Sequence, residues 1–142
     1  MLAFHLQCVP PTVTAQTKRL RWTPTGPRFY QSARMQREVR TWTTLLGPYV
    51  PAAPLDGPLV LELMFVWPHG SRVRQKDRER LVPKITRPDA SNVAKHFEDL
   101  LVTLRFIEDD ARVARLVVEK FTGPAPQVGI AVQISPCRGE LG

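Results

Sequence analysis

Pro88 and Asp89 open the most constraining stretch of the chain, Thr86 to Val113, TRPDASNVAKHFEDLLVTLRFIEDDARV. Proline disfavours helical backbone at the residue before it, here Arg87, and Asp is a favoured helix cap. Val93, Phe97, Leu100, Leu101 and Leu104 then recur at the spacing of one apolar helix face, with Asn92, Lys95 and Asp99 on the other. The spacing predicts an amphipathic helix entered at Asp89. A second acidic cluster, Glu108-Asp109-Asp110, follows about twenty residues after Asp89. One carboxylate therefore stands at a fixed helix entrance while others return past the helix's far end. Whether the two groups meet depends on the turn between them.

The rest of the chain supplies a frame for that helix. Residues 2–9 alternate as a strand, with Phe4, Leu6 and Cys8 on one side, and Pro10-Pro11 ends it. The start lacks a basic segment, so it reads as a strand and not as a signal peptide. Residues 12–30 are expected to form a long basic loop, in which Lys18, Arg19, Arg21 and Arg28 alternate with Trp22, Phe29 and Tyr30. Such a mixture offers charge for phosphates and rings for bases, although the rings can equally fold back on the core. Gln31 to Leu46 reads as the first helix, with a Met35, Val39, Trp42, Leu46 stripe. The apolar run Pro58 to Pro68 predicts a central strand covered on both faces. Its one charge, Glu62, is expected at a rim, a dimer contact or a basic partner. Residues 69–85 have no steady period and read as a mobile basic loop carrying Arg72, Arg74 and Lys76. Residues 112–121 and 128–134 read as strands, and 136–142 as a loose tail. The order predicts an α/β (α+β) fold: a single domain over 1–142 with a small, about four-stranded mixed sheet and two main helices.

Charge narrows the partner class. Residues 1–87 hold 14 Lys and Arg against 5 Asp and Glu, whereas residues 88–142 hold 6 against 8. The net charge is +7. A basic first part with acidic residues gathered behind it suits a polyanion held by one and a metal held by the other. A basic surface kept for solubility is the plainer alternative. No apolar run approaches a membrane span, and no P-loop, glycine fingerprint or zinc spacing is present. Neither a membrane nor a nucleotide cofactor is therefore expected. Cys8 and Cys137 are expected as free thiols in a reducing, cytoplasmic setting.

The motifs resemble those of RusA-like Holliday junction resolvases. That family's signature, Pro-Asp-x-Asp-Asn-Leu-x-Lys, a helix, then Asp-Asp-x-x-Val, reads here as Pro88-Asp89-Ala90-Ser91-Asn92-Val93-Ala94-Lys95 and Asp109-Asp110-Ala111-Arg112-Val113. Thr14-Ala15-Gln16-Thr17-Lys18, Phe29-Tyr30 and Glu119-Lys120-Phe121 match further segments of basic phage-type members. The resemblance spans about residues 3 to 135 and is dense between 86 and 121. One position departs: Ser91 stands where relatives carry a second Asp.

The resemblance implies a homodimeric endonuclease that cuts branched DNA, chiefly four-way junctions, with Mg2+ or Mn2+. It places Asp89, Asp110, Lys95 and Asn92 in the catalytic set. Asp89 and Asp110 would be the principal metal ligands, with Ser91 and Asp109 beside them. Lys95 can stabilise the phosphoryl group or protonate the leaving oxygen, and Asn92 can orient a carboxylate or a water. Lys18, Arg19, Arg21, Arg28, Arg72, Arg74 and Lys76 would hold the DNA. Ser91 cannot supply the charge of an Asp, so a DNA-binding protein with impaired catalysis is the alternative, unless Glu108, Asp109 or Asp99 compensates. A basic RNA-binding or assembly protein is a third reading.

Overall fold

Parallel strands need a crossover, and in this protein α2 supplies it. A computed structural model describes residues 1–12, 18–31 and 33–139, with the side chains of 18–23, 27–31 and 33–35 outside the description. The elements are β1 (Leu2–Leu6), β2 (Lys18–Thr23), β3 (Gly26–Gln31), α1 (Ala33–Leu46), β4 (Leu59–Pro68), β5 (Val82–Pro83), α2 (Ala90–Thr103), β6 (Val113–Gly123) and β7 (Gly129–Pro136). Five strands form one mixed sheet in the order β1-β7-β4-β6-β5. Only β4 and β6 run parallel; the other neighbours are antiparallel. The α+β class with two main helices holds, and the sheet has five strands, not four. The additional strand is β5, whose two residues are too few for a period to show.

Residues 18–31 differ from the expected loop. They pair as an antiparallel hairpin, β2 with β3, in a two-stranded sheet of its own. Register sets Arg19 opposite Tyr30 and Arg21 opposite Arg28. A turn at residues 24–25 followed by Gly26 at φ 120° closes the hairpin, a backbone conformation only glycine adopts without strain. Gln31 thus ends a strand, and α1 begins at Ala33.

The core lies between one face of the large sheet and the two helices. Leu61, Leu63, Phe65, Ile130, Val132 and Ile134 are buried there against Trp42 and Leu46 of α1 and Val93, Phe97 and Leu101 of α2. Phe97 is fully buried and meets Phe65 and Trp42 edge-on, with ring centroids 5.9 and 6.4 Å apart. Val93, Phe97, Leu100 and Leu101 are buried as the helix spacing predicts, and Leu104 is partly buried. β4 is central in the hydrogen-bonding direction but alternates, so it is covered by helices on one face only. Its other face carries Val60, Glu62 and Met64, all half-buried. There Glu62 lines a shallow 510 Å³ concavity with Met64, Val117, Glu119 and Gln133.

Residues 69–84, expected as a loop, are irregular over most of their length and are hydrogen-bonded to the sheet at several points. The His69 amide donates to Gly123 O at 3.2 Å, and its ring lies 3.0 Å from both Thr122 Oγ1 and Arg80 O. A 3-10 turn spans Gln75–Asp77, and β5 then pairs with β6. At the other end of the chain, the Cys137 amide reaches Pro58 O at 2.8 Å, and residues 140–142 lie outside the description. Cys8 and Cys137 are free thiols, and burial pushes Cys8 up to about 11. No described helix is long and apolar enough to cross a membrane.

Candidate active site

β6 delivers the segment that precedes Asp89. The Lys84 amide donates to Lys120 O at 2.9 Å, which continues the β5–β6 pairing. The Lys120 ammonium then donates to Thr86 O at 2.8 Å and to Pro88 O at 2.6 Å. Pro88 is buried, and its peptide bond with Arg87 is cis. A lysine on the sheet thus holds both carbonyls that flank Arg87, and the chain enters α2 from a fixed point. Hydrogen bonds from a charged donor contribute about 1.5–3 kcal/mol each. Lys120→Met is therefore expected to lower unfolding stability by roughly 2 kcal/mol in a urea titration, with Lys120→Arg losing less. Equal stability of the two variants and the parent would remove Lys120 from this role.

Asp89 is the N-cap residue, with φ −63° and ψ 145°, and its carbonyl accepts from the Val93 amide at 3.0 Å. Its side chain makes no capping bond. The carboxylate is exposed and instead accepts from Asn92 Nδ2 at 3.3 Å. An Asp that leaves the helix amides unbonded keeps its oxygens available to something else. Ser91 is exposed in the first turn.

The far end of α2 answers where the second acidic cluster goes. The Phe106 amide bonds Leu101 O at 2.9 Å and the Arg105 amide bonds Val102 O at 3.1 Å, with Arg105 at φ 68°. This is a Schellman turn, which reverses the chain and lets Phe106 pack on the helix it leaves. Phe106 and Ile107 are buried, and Leu55 anchors them through a 2.8 Å bond from its amide to Phe106 O. Glu108, Asp109 and Asp110 leave from that anchored point. Asp109 turns inward on its own loop, accepting from the Ala111 amide at 3.0 Å. Asp110 reaches α2, where its Oδ2 accepts a short bond from the Lys95 ammonium. Asp99, one helical turn on, holds the same ammonium at 3.2 Å.

Two carboxylates on one ammonium set the electrostatics. Lys95 is held charged well above its ordinary range, first by its bond to Asp110 and then by that to Asp99. Asp110 is held below the usual carboxylate range, first by Lys95 and then by Asp109. A depressed carboxylate contributes stability above its unfolded value and loses it as pH falls through its folded one. The Lys95–Asp110 pair is thus intact at neutral pH and comes apart only in acid. Beside it, Glu98 is 9 % exposed; burial raises its carboxyl first and nearby Asp110 raises it further. His96, 3 % exposed, is pushed down by burial, and its Nε2 has no hydrogen-bond partner among the described residues.

A family profile, Endodeoxyribonuclease RusA, matches residues 9–133. The chain belongs to the RusA endodeoxyribonuclease family. No curated protein matches the sequence significantly. RusA enzymes are Holliday junction-resolving endonucleases that act on branched DNA and in general depend on a divalent metal.

The RusA signature residues are brought together in two groups on one helix. Asp89 meets Asn92 at its entrance, and Asp110 meets Lys95 in its second turn. Lys95 lies six residues after Asp89, a rise of about 9 Å. Asp109, bonded to its own loop, also interacts with the neighbouring Asp110 carboxyl and so adjoins the second group, whereas Ser91 is exposed in the first turn of the helix. Among the described residues, no three His, Cys, Asp or Glu side chains converge as a metal cage would need. Arg72, Arg74 and Lys76 are exposed on the segment leading toward Asp89. Lys18, Arg19, Arg21 and Arg28 lie on the hairpin strands, with their side chains outside the description. Residues 14–17, the rest of the early RusA-like segment, lie outside it altogether. Sequence reasoning named Lys120 only within the Glu119-Lys120-Phe121 match, without its role, and passed over Glu98. Glu98 was detectable three residues from Lys95, whereas only the pairing of β5 with β6 reveals what Lys120 holds.

Proposed function

We propose that this RusA-family chain is a magnesium-dependent endonuclease that cuts four-way DNA junctions as a homodimer, one cut per subunit. The observation that carries this reading is the capture of Asp110 by Lys95 on the helix that Asp89 opens. It sets an exposed carboxylate, a half-buried one and an ammonium along one helix of a chain whose first part is strongly basic.

The donor set fits Mg2+, which is commonly held by one or two carboxylates and keeps its remaining waters. Asp89 and Asp110 would hold it, and Mn2+ suits the same oxygen donors. When bound, such a cation lowers the pKa of its water and neutralises phosphoryl charge. Asn92 orients the Asp89 carboxylate through its 3.3 Å bond. Lys95 neutralises Asp110 in the free protein and has further N–H groups to donate to a phosphoryl or leaving oxygen. Arg72, Arg74 and Lys76, with the hairpin's Lys18, Arg19, Arg21 and Arg28, would bind phosphates along the arms. A two-fold dimer presents two such sites to a substrate that needs two symmetric cuts.

A labelled four-way junction compared with linear duplex, with EDTA or Mg2+, tests the reading. Binding in EDTA and paired symmetric nicks in Mg2+ are expected, with a two-chain mass in sedimentation. A protein that prefers structured RNA, or cuts neither substrate while failing to bind the junction, contradicts it. The neutral, exposed Ser91 favours a second reading, a junction binder with weakened metal affinity. That reading predicts binding without cleavage and rescue by Ser91→Asp; no gain in the variant counts against it.

A further inference from the structure

Ile85 is 95 % exposed, more than any other large apolar side chain among those described, the chain-terminal Met1 at 84 % included. A single exposed apolar residue is ordinary on a protein surface, so exposure alone decides nothing. What sets Ile85 apart is the rigidity of its mounting and the charge around it. On one side, the Lys84 amide is bonded to Lys120 O at 2.9 Å. On the other, Thr86 O and Pro88 O are both held by the Lys120 ammonium. The Lys84 ammonium bridges over to Thr86 Oγ1 at 2.9 Å, and it also lies 5.2 Å from the centre of the Trp67 ring. The Lys84 side chain is thus committed on both of these partners. The chain is pinned before and after this residue, and its side chain is left pointing into solvent.

The surroundings are cationic. Lys84 and Arg87 flank Ile85, Lys120 lies beneath, and Arg72, Arg74 and Lys76 are exposed on the preceding segment. Asp89 follows four residues later, at most about 15 Å away along the chain. A DNA backbone held by these cations would run close to Ile85. An apolar side chain driven between base pairs must offset the lost stacking. That cost is least where stacking is already interrupted, as at a branch point, and such a wedge discriminates branch from duplex.

We propose that Ile85 is a specificity-determining wedge that inserts between the base pairs at the crossover of a four-way junction and so selects branched over linear DNA. The inference rests on the junction-cutting reading above. Ile85 touches bases, not the scissile phosphate, and its role is in recognition.

The test uses the full-length protein in EDTA with a four-way junction carrying 2-aminopurine beside the crossover. Binding of the unaltered protein is expected to raise the fluorescence as the base unstacks. Ile85→Ser should lose most of that rise and lower the ratio of junction to duplex affinity roughly tenfold, about the worth of burying such a side chain. Ile85→Leu should keep both. An unchanged melting temperature, expected for a side chain in solvent, confirms that the variants fold. If Ile85→Ser unstacks the base and prefers junctions as the unaltered protein does, the wedge is wrong and the nuclease reading stands. If the unaltered protein does not bind the junction at all, both are overturned.

Discussion

Asp89→Asn is expected to abolish junction cleavage while junction binding in EDTA stays within a few-fold of the parent. The carboxylate is exposed, makes no helix-capping bond and accepts a hydrogen bond from Asn92. Asn keeps the shape and removes the charge, so little folding energy is at stake. In the proposed role, what is lost is a ligand charge for the cation. Metal stabilisation of a transition state is worth several kcal/mol, so the rate should fall on the order of a hundred- to a thousandfold. Asp110→Asn should do the same, with an added signature: Lys95 loses one of its two carboxylate partners and keeps Asp99. Gel-resolved single-turnover cleavage reads both. Near-parental rates in both variants would mean that these carboxylates do not hold the catalytic metal.

The largest stability effect is expected at Phe97. Its side chain is fully buried and makes edge contacts with Phe65 of β4 and Trp42 of α1, so it joins α2 to both the sheet and the other helix. Phe→Ala in a well-packed core removes transfer energy and leaves a cavity, together about 3–5 kcal/mol. For a domain of this size that is roughly 10–20 °C in melting temperature. α2 also carries Asn92 and Lys95, so cleavage should fail at temperatures the parent tolerates. A loss below about 1 kcal/mol would show that the helix is held elsewhere.

α2 and its apolar stripe were legible because a buried helix must repeat its apolar residues at a fixed spacing. The proline before Asp89 marked its start for a similar local reason. Asp89 is the N-cap residue, as its position predicts, but composition cannot say that its oxygens turn to Asn92 in place of the helix amides. Whether the acidic cluster came back depended on Arg105 adopting a left-handed conformation. Glycine usually signals such a turn, and here none does. β4 read as covered on both faces because Val60 and Met64 are apolar; the half-buried face opposite the helices follows only from the topology. The hairpin was hidden by its arginines and prolines, and β5 by its brevity. Lys120 is invisible locally because it acts on carbonyls more than thirty residues away in the chain.

The proposed cleavage chemistry depends on Asp89 and Asp110 sharing one divalent cation. Anomalous diffraction from crystals soaked in Mn2+ locates that ion directly. A single peak at coordination distance from carboxylate oxygens of both residues, lost in Asp89→Asn, is the predicted result. A peak bound by other side chains, or one that persists unchanged in Asp89→Asn, would contradict it.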